Sequence, residues 1–204
     1  MSNTSATGGP ILPNGTVAPL EGKALLVFLQ GWLAPLLGLP GQMVRPRWQA
    51  EPPAIPDAGE AWAAIGITAR PADAYPSVTH DPSGDGQDIV VRHERLELLV
   101  SVYDLGVAGQ ADAHAALLRD NLTIRQNSEP LQLAGFALIE TGTLTPVPSL
   151  LKSRWLYRVD LPITVRRAVA RSYPVLNLLQ GQATIIAGDP VGRTLTVPVT
   201  VTNS

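Results

Sequence analysis

The sequence predicts an α+β fold: a mostly antiparallel sheet with helices packed on one face, a flexible N-terminal arm and a C-terminal β extension. Three observations predict it. Two stretches carry apolar residues at helical spacing. Two long stretches alternate apolar and polar residues as half-buried strands do. The elements come in the order helix, strands, helix, strands. At 204 residues the chain can bury about 70% of its unfolded surface. It needs no covalent staple, and it has no cysteine to make one.

Residues 1–20 are uncharged and rich in Gly, Pro, Ser and Thr. They are expected to form a flexible arm that orders only on a partner. A first helix follows, because Leu25, Phe28, Leu29, Trp32, Leu33 and Leu36 fall on one helical face. Pro35 should bend it, and the Gly38-Leu39-Pro40-Gly41 run should stop it. Residues 44–49 read as a short edge strand because they contain Pro46. Residues 61–69 read as a buried strand, and residues 70–88 as a loop with several Gly and Pro turn signals. Residues 89–103 form a long strand with Leu96, Leu98, Val100 and Val102 on one face. Ala111, Ala115, Leu118 and Leu122 mark a second helix over residues 110–125, followed by a short helical turn at 127–133. Residues 136–144 are a strand that Pro146 and Pro148 end. Residues 153–170 are a second long strand or a pair broken at Pro162, with Trp155, Tyr157, Val159 and Leu161 on its apolar face. Residues 182–187 and 194–201 pattern as a terminal hairpin around Gly188-Asp189-Pro190.

Composition narrows the function classes. Charged residues are 16% of the chain, against ~25% in an average domain. The formal net charge of −2 gives no global attraction to nucleic acid. No secretion signal precedes the first helix, and the apolar stretch 24–39 is broken by Gln30, Gly31, Pro35 and Gly38, too short to span a membrane. Charge is unevenly distributed. From Glu51 to Asp104 the acids include Glu60, Asp73, Glu94 and Glu97, against only Arg70, Arg92 and Arg95. From Lys152 to Arg171 the bases Lys152, Arg154, Arg158, Arg166, Arg167 and Arg171 face only Asp160. These segments either neutralise each other within one subunit or meet across a head-to-tail interface between subunits. The second reading makes Glu94, Glu97, Arg154, Arg158, Arg166 and Arg167 the candidate interface residues.

No catalytic constellation is legible, and no cofactor or metal is expected. His80, His93 and His114 stand far apart and form no zinc-type pair. The run from Asp81 to Asp88 lacks the ligand spacing of a calcium loop and reads as an acidic turn. Glu94 and Glu97 have opposite parity on a strand, so they cannot converge as an acid/base pair. The phosphate-cradling glycine loops and the nucleophile elbow are absent. Asn121-Leu122-Thr123 matches a glycosylation site by chance inside a helix.

Four groups of runs resemble the phage neck and tail-terminator proteins. They are Leu39-Pro-Gly-Gln-Met-Val-Arg-Pro-Arg-Trp-Gln49 with Glu51-Pro-Pro53 and Trp62-Ala-Ala-Ile-Gly-Ile67; His80-Asp-Pro-Ser-Gly-Asp-Gly86 with Arg92-His-Glu94 and Leu99-Val-Ser-Val-Tyr103; Leu118-Arg-Asp-Asn-Leu122 with Gln126-Asn-Ser-Glu129; and Pro146-Val-Pro-Ser-Leu150 with Arg154-Trp155, Arg158-Val-Asp-Leu161 and Tyr173-Pro-Val175. Together they cover residues 30–176, and both ends fall outside the resemblance. It implies a tail-terminator-like domain, taken over 21–176; the arm at 1–20 and the C-terminal β-hairpin extension at 177–204 are expected from composition and pattern alone. It further implies a homo-oligomeric ring, usually hexameric, at the head-proximal end of the tail. Its partners would be other copies, the tail tube protein, the head–tail connector or head-completion protein and, in a contractile tail, the sheath. DNA would only pass through the channel, and no membrane is involved. The protein would be assembled in the host cytoplasm and end in the virion. Alternatives are another head–tail completion or tail-tube-like subunit, or a virion binding module.

Overall fold

The computed structural model describes residues 3–14, 19–51, 53–57, 59–105, 109–151, 153–178, 180–188 and 194–202. Parts of the expected arm and extension, the Asp189-Pro190 turn and Lys152 lie outside these residues. The chain divides into two compact units. The larger holds Val17–Pro76 and Val91–Ala170; the smaller holds Met1–Thr16, Ser77–Val90 and Arg171–Ser204.

The larger unit is α+β with a mixed, mostly antiparallel sheet, as the pattern predicts. Helix α1 (Gly22–Leu37) buries Leu25, Leu29, Trp32, Leu33, Leu36 and Leu37. It continues through Pro35, which is exposed. Gly38 ends it in the left-handed region (φ 66). The Gly38 N–H donates to the Pro35 carbonyl at 3.1 Å and the Leu39 N–H to Ala34 at 3.2 Å, a Schellman closure. The last two carbonyls of α1 are taken by α2 (Gln110–Asn121): His114 Nδ1 lies 2.8 Å from the Leu37 oxygen, and the Asn121 amide donates to Leu36 at 2.8 Å. Asn121 is therefore a helix-capping residue, which explains its place without invoking a sugar. At its own start, α2 rests on Asp104, whose buried carboxylate accepts the Ala111 N–H at 2.8 Å.

Helix α2 stops four residues short of the expected Arg125. The Thr123 hydroxyl turns back to the Asp120 carbonyl at 2.7 Å, and the Asn127 amide donates to Asn121 at 2.8 Å. These bonds satisfy terminal carbonyls and release the chain. A 3-10 turn (Arg125–Ser128) and the short α3 (Glu129–Leu133) follow.

The sheet runs β1 (Val44–Pro46), β2 (Trp62–Ala69), β4 (Gln87–Leu105), β8 (Arg154–Tyr173), β5 (Phe136–Thr141), with β6 (Thr145–Pro146) and β7 (Ser149–Leu151) also on β8; the larger unit holds β4 from Val91 and β8 as far as Ala170. β1 is an edge, as Pro46 implied, and pairs parallel to β2; β2 with β4, and β5, β6 and β7 with β8, pair antiparallel. Ala63, Ile65, Leu96, Leu98, Val100, Val102, Val159, Leu161, Ile163 and Val165 are buried in one core with α1 and α2. That burial leaves the alternate residues of β2, β4 and β8 on a face turned away from the helices.

Two expectations for β8 are corrected. It does not break at Pro162. The Pro162 carbonyl accepts the Gly142 N–H at 2.8 Å, in the gap between β5 and β6, so the missing proline N–H falls where ladder pairing is already interrupted. Trp155 is not a core residue. It is 54% exposed, at the end of β8 that pairs with the short β7.

In the smaller unit, residues 77–81, expected as loop, form β3 (Ser77–Asp81), which pairs with β4. The two are joined by the Gly-rich turn at 82–86. The described arm residues bond to this unit: the Ser5 N–H donates to Pro174 at 3.2 Å and the Asn14 N–H to Ser172 at 2.9 Å. β9 (Gln180–Gly188) and β10 (Thr194–Thr202) form the antiparallel terminal hairpin that the Thr/Val alternation predicts.

One histidine of this unit predicts a pH response. His80 Nδ1 lies 2.7 Å from an Asp88 carboxylate oxygen, and Nε2 2.9 Å from Asn177 Oδ1. The Asn177 amide nitrogen donates to the Pro82 and Gly84 carbonyls at 2.9 and 3.1 Å, which fixes Oδ1 as an acceptor. Both imidazole nitrogens can donate at once only when the ring is protonated, so this arrangement favours the charged form. The Asp88 hydrogen bond, then that of Asn177, with Asp81 nearby, raises the His80 pKa above its ordinary 6.5. A raised pKa stabilises the folded state fully below the ordinary value and loses that contribution as pH rises through the folded value. The Asn177 N–H, which donates to Asp85 at 2.8 Å, should therefore exchange with solvent increasingly fast above neutral pH, beyond the intrinsic base-catalysed rise. His80→Ala should abolish that excess; an unchanged profile in the variant would refute the coupling.

Candidate functional site

Of the six residues that sequence reasoning singled out, the structure joins two to each other. Arg167 is buried, its side chain 4% exposed. Its guanidinium bonds to the Glu94 carboxylate and the Leu20 carbonyl, and reaches Glu21 at 3.0 Å. Arg70 closes the ring of charges, 2.9 Å from Glu21 and 3.0 Å from Glu94. The Arg167 guanidinium also lies 5.5 Å from the Phe136 ring centre, and Phe136 stacks on Phe28 of α1. Two acids and two bases thus tie the residue before α1 to β4, β8 and the residue that follows β2. Within one chain Glu94 and Arg167 neutralise each other. The reason is parity: Glu94 and Arg167 share the core-facing parity of Leu96 and Val165.

The remaining four lie elsewhere. Arg158 grips Asp160 through two hydrogen bonds of 2.7 Å. Glu97, Arg154 and Arg166 are exposed.

Sequence reasoning missed the residues that make the helix-free face distinctive. Trp62 and Tyr103 are direct cross-strand partners and stack at 4.1 Å with planes 9° apart. Arg45 lies 5.5 Å over Trp62, and Arg158 lies 5.8 Å over Tyr103. Two cations thus close the ends of an aromatic stack. Beneath it Arg47 donates to the buried Ser101 hydroxyl, which donates to Asp160. The signal was the polar parity of β4 and β8: Ser101 and Tyr103 on one, Arg158 and Asp160 on the other, alternate with the core residues. Arg45, Arg47 and Trp62 carry no such signal, because nothing in their spacing says that the parallel edge strand folds beside β2.

Further along the same face an open cleft of about 370 Å³ is lined by Pro71, Ala72, Asp73, His93, Arg95, Ile139 and Arg166, with Glu94 at its base. Backbone bonds hold its wall, from the Asp73 N–H to His93 at 3.0 Å and from the Arg95 N–H to Pro71 at 2.8 Å. Among the described residues no group of three His, Asp or Glu side chains gathers as a metal site would require, and no helix is long and apolar enough to cross a membrane.

The sheet packs one face on helices and carries ordered charges and aromatics on the other, a surface suited to contact with other proteins. The chain belongs to the phage neck terminator protein family, whose description matches residues 23–189. The match runs past residue 176, where the resemblance of individual runs ends, and takes in β9. Among curated proteins none matches the chain. Membership makes the protein a structural component of the phage neck, located in the neck and tail region of the virion.

Proposed function

We propose that this protein assembles into a homo-oligomeric ring, hexameric in the simplest case. The ring closes the head-proximal end of the tail tube and joins it to the connector or head-completion protein. It works without catalysis and without a cofactor, after assembly in the host cytoplasm. DNA only passes through its channel, and a sheath would be a further neighbour in a contractile tail.

The observation that carries this reading is the tip of the β7–β8 hairpin. Leu150 and Trp155 are direct cross-strand partners, 64% and 54% exposed. An apolar cross-strand pair projecting into water on a short hairpin gains little within the subunit and gains substantially when a neighbour covers it. Exposed Arg154 beside it, and Glu97 on β4, would orient such contacts more than strengthen them.

The test is the mass of the purified full chain, alone and with its tail tube protein, followed by counts of tailed particles for Trp155→Ser. The expected result is a multi-subunit ring in one of the two mixtures, and a folded variant that gives few tailed particles. A chain that stays monomeric in both mixtures, or a variant that yields normal particle numbers, would overturn it.

A further inference from the structure

Three side-chain contacts align β4 with β8: Tyr103 with Arg158, Ser101 with Asp160, and Glu94 with Arg167. Residue numbers in each pair add to the same total, so the register holds throughout this stretch. It places Arg95 directly across from Arg166. Both point away from the helices, both are exposed, and both line the cleft described above. Neither guanidinium has a hydrogen bond or ion pair among the described residues. Like charges directly opposite on neighbouring strands are destabilising. Several arginines of this unit are paired: Arg70 and Arg167 with acids, Arg158 with Asp160, Arg92 with the Asp73 carbonyl. Arg95 and Arg166 are not, and they face each other across neighbouring strands in one cleft.

We propose that Arg95 and Arg166 form a clamp for a carboxylate, supplied by an acidic side chain of a neighbouring protein chain in the assembled neck. The clamp rests on the assembly reading above and names the chemistry of one of its contacts. Two guanidinium forks on adjacent strands offer the donors that a single carboxylate accepts. The setting selects against a polyanion: Asp73 stands on the cleft wall and Glu97 follows on the same strand face. A nucleic-acid backbone would meet these acids, whereas a single carboxylate need meet only the arginines. Exposed Ile139 supplies an apolar wall for the methylene groups of the incoming side chain.

The full chain, Arg95→Gln and Arg166→Gln would be titrated with the acetylated, amidated peptide Ala-Glu-Ala, with inorganic phosphate and with a short DNA duplex. Arginine Nε–H resonances and the melting temperature are followed. The glutamate peptide should shift the Arg95 and Arg166 resonances saturably, and either variant should lose at least about tenfold in affinity, the order lost with one charge-assisted bond. Each variant without ligand should melt higher than the natural chain, since one of two opposed charges is gone. No response to the peptide, an equal response in the variants, lower melting of both variants, or tighter binding of DNA than of peptide would each overturn the clamp. Mass measurement separates the two readings. Rings that form undiminished in both variants overturn the clamp's assembly role and leave the ring standing. Peptide binding by a chain that forms no ring in any mixture overturns the ring and leaves the carboxylate site.

Discussion

Arg167→Ala should destabilise the folded chain by about 3 kcal/mol, the scale for removing one partner of a buried pair. The guanidinium is almost fully enclosed and serves three acceptors: Glu94, Glu21 and the Leu20 carbonyl. Without it Glu94 keeps Arg70 at 3.0 Å, which holds the effect to the lower end of the range. Glu21 and Arg70 are each more than a third exposed, so water screens their link. Arg70→Ala should accordingly cost under about 1 kcal/mol, as surface pairs do. Arg167→Met, which fills the space with an apolar side chain but leaves Glu94 with one partner fewer, should fall between the two. Denaturant unfolding of the three variants would rank them. If Arg70→Ala proved as costly as Arg167→Ala, burial would not be the deciding term.

The same network shows where sequence reading reached and where it ended. The charge asymmetry between Glu51–Asp104 and Lys152–Arg171 is real, and Glu94 and Arg167 do meet. Whether they meet within one subunit or between two depends on which face each occupies. On β8 the core parity of Val165, Arg167 and Val169 is visible only once the strand is known to run through Pro162 without a break. The helices were legible because a stripe of leucines at helical spacing has one reading, and α1 ends where Gly38 permits. β3 was not legible: Ser77–Asp81 is short, mostly exposed and flanked by turn residues, and it is a strand only because β4 extends far enough to pair with it. The aromatic stack was hidden for a similar reason, since Trp62 and Tyr103 become neighbours only through the antiparallel register of β2 and β4.

Leu33→Ala should destabilise the chain by ~3–5 kcal/mol, while Trp155→Ala should change the free subunit's stability by under about 0.5 kcal/mol. Size alone would order them the other way, since tryptophan removes more atoms. Environment reverses the order. Leu33 is wholly buried, and with Leu29, Ile65 and Leu98 it encloses one tight interior space between α1 and the sheet. Removing its three terminal carbons loses their transfer from water and leaves a cavity that a helix held at its end by the Schellman closure, His114 and Asn121 cannot easily collapse. Trp155 lies on the hairpin tip with more than half its surface in water, opposite an equally exposed Leu150. Truncating it leaves no cavity, only a lost surface pair. Thermal and denaturant unfolding of the two variants as dilute free chains would decide the matter. A Trp155 variant that unfolds as readily as the Leu33 variant would place the hairpin tip in a core that this structure does not show.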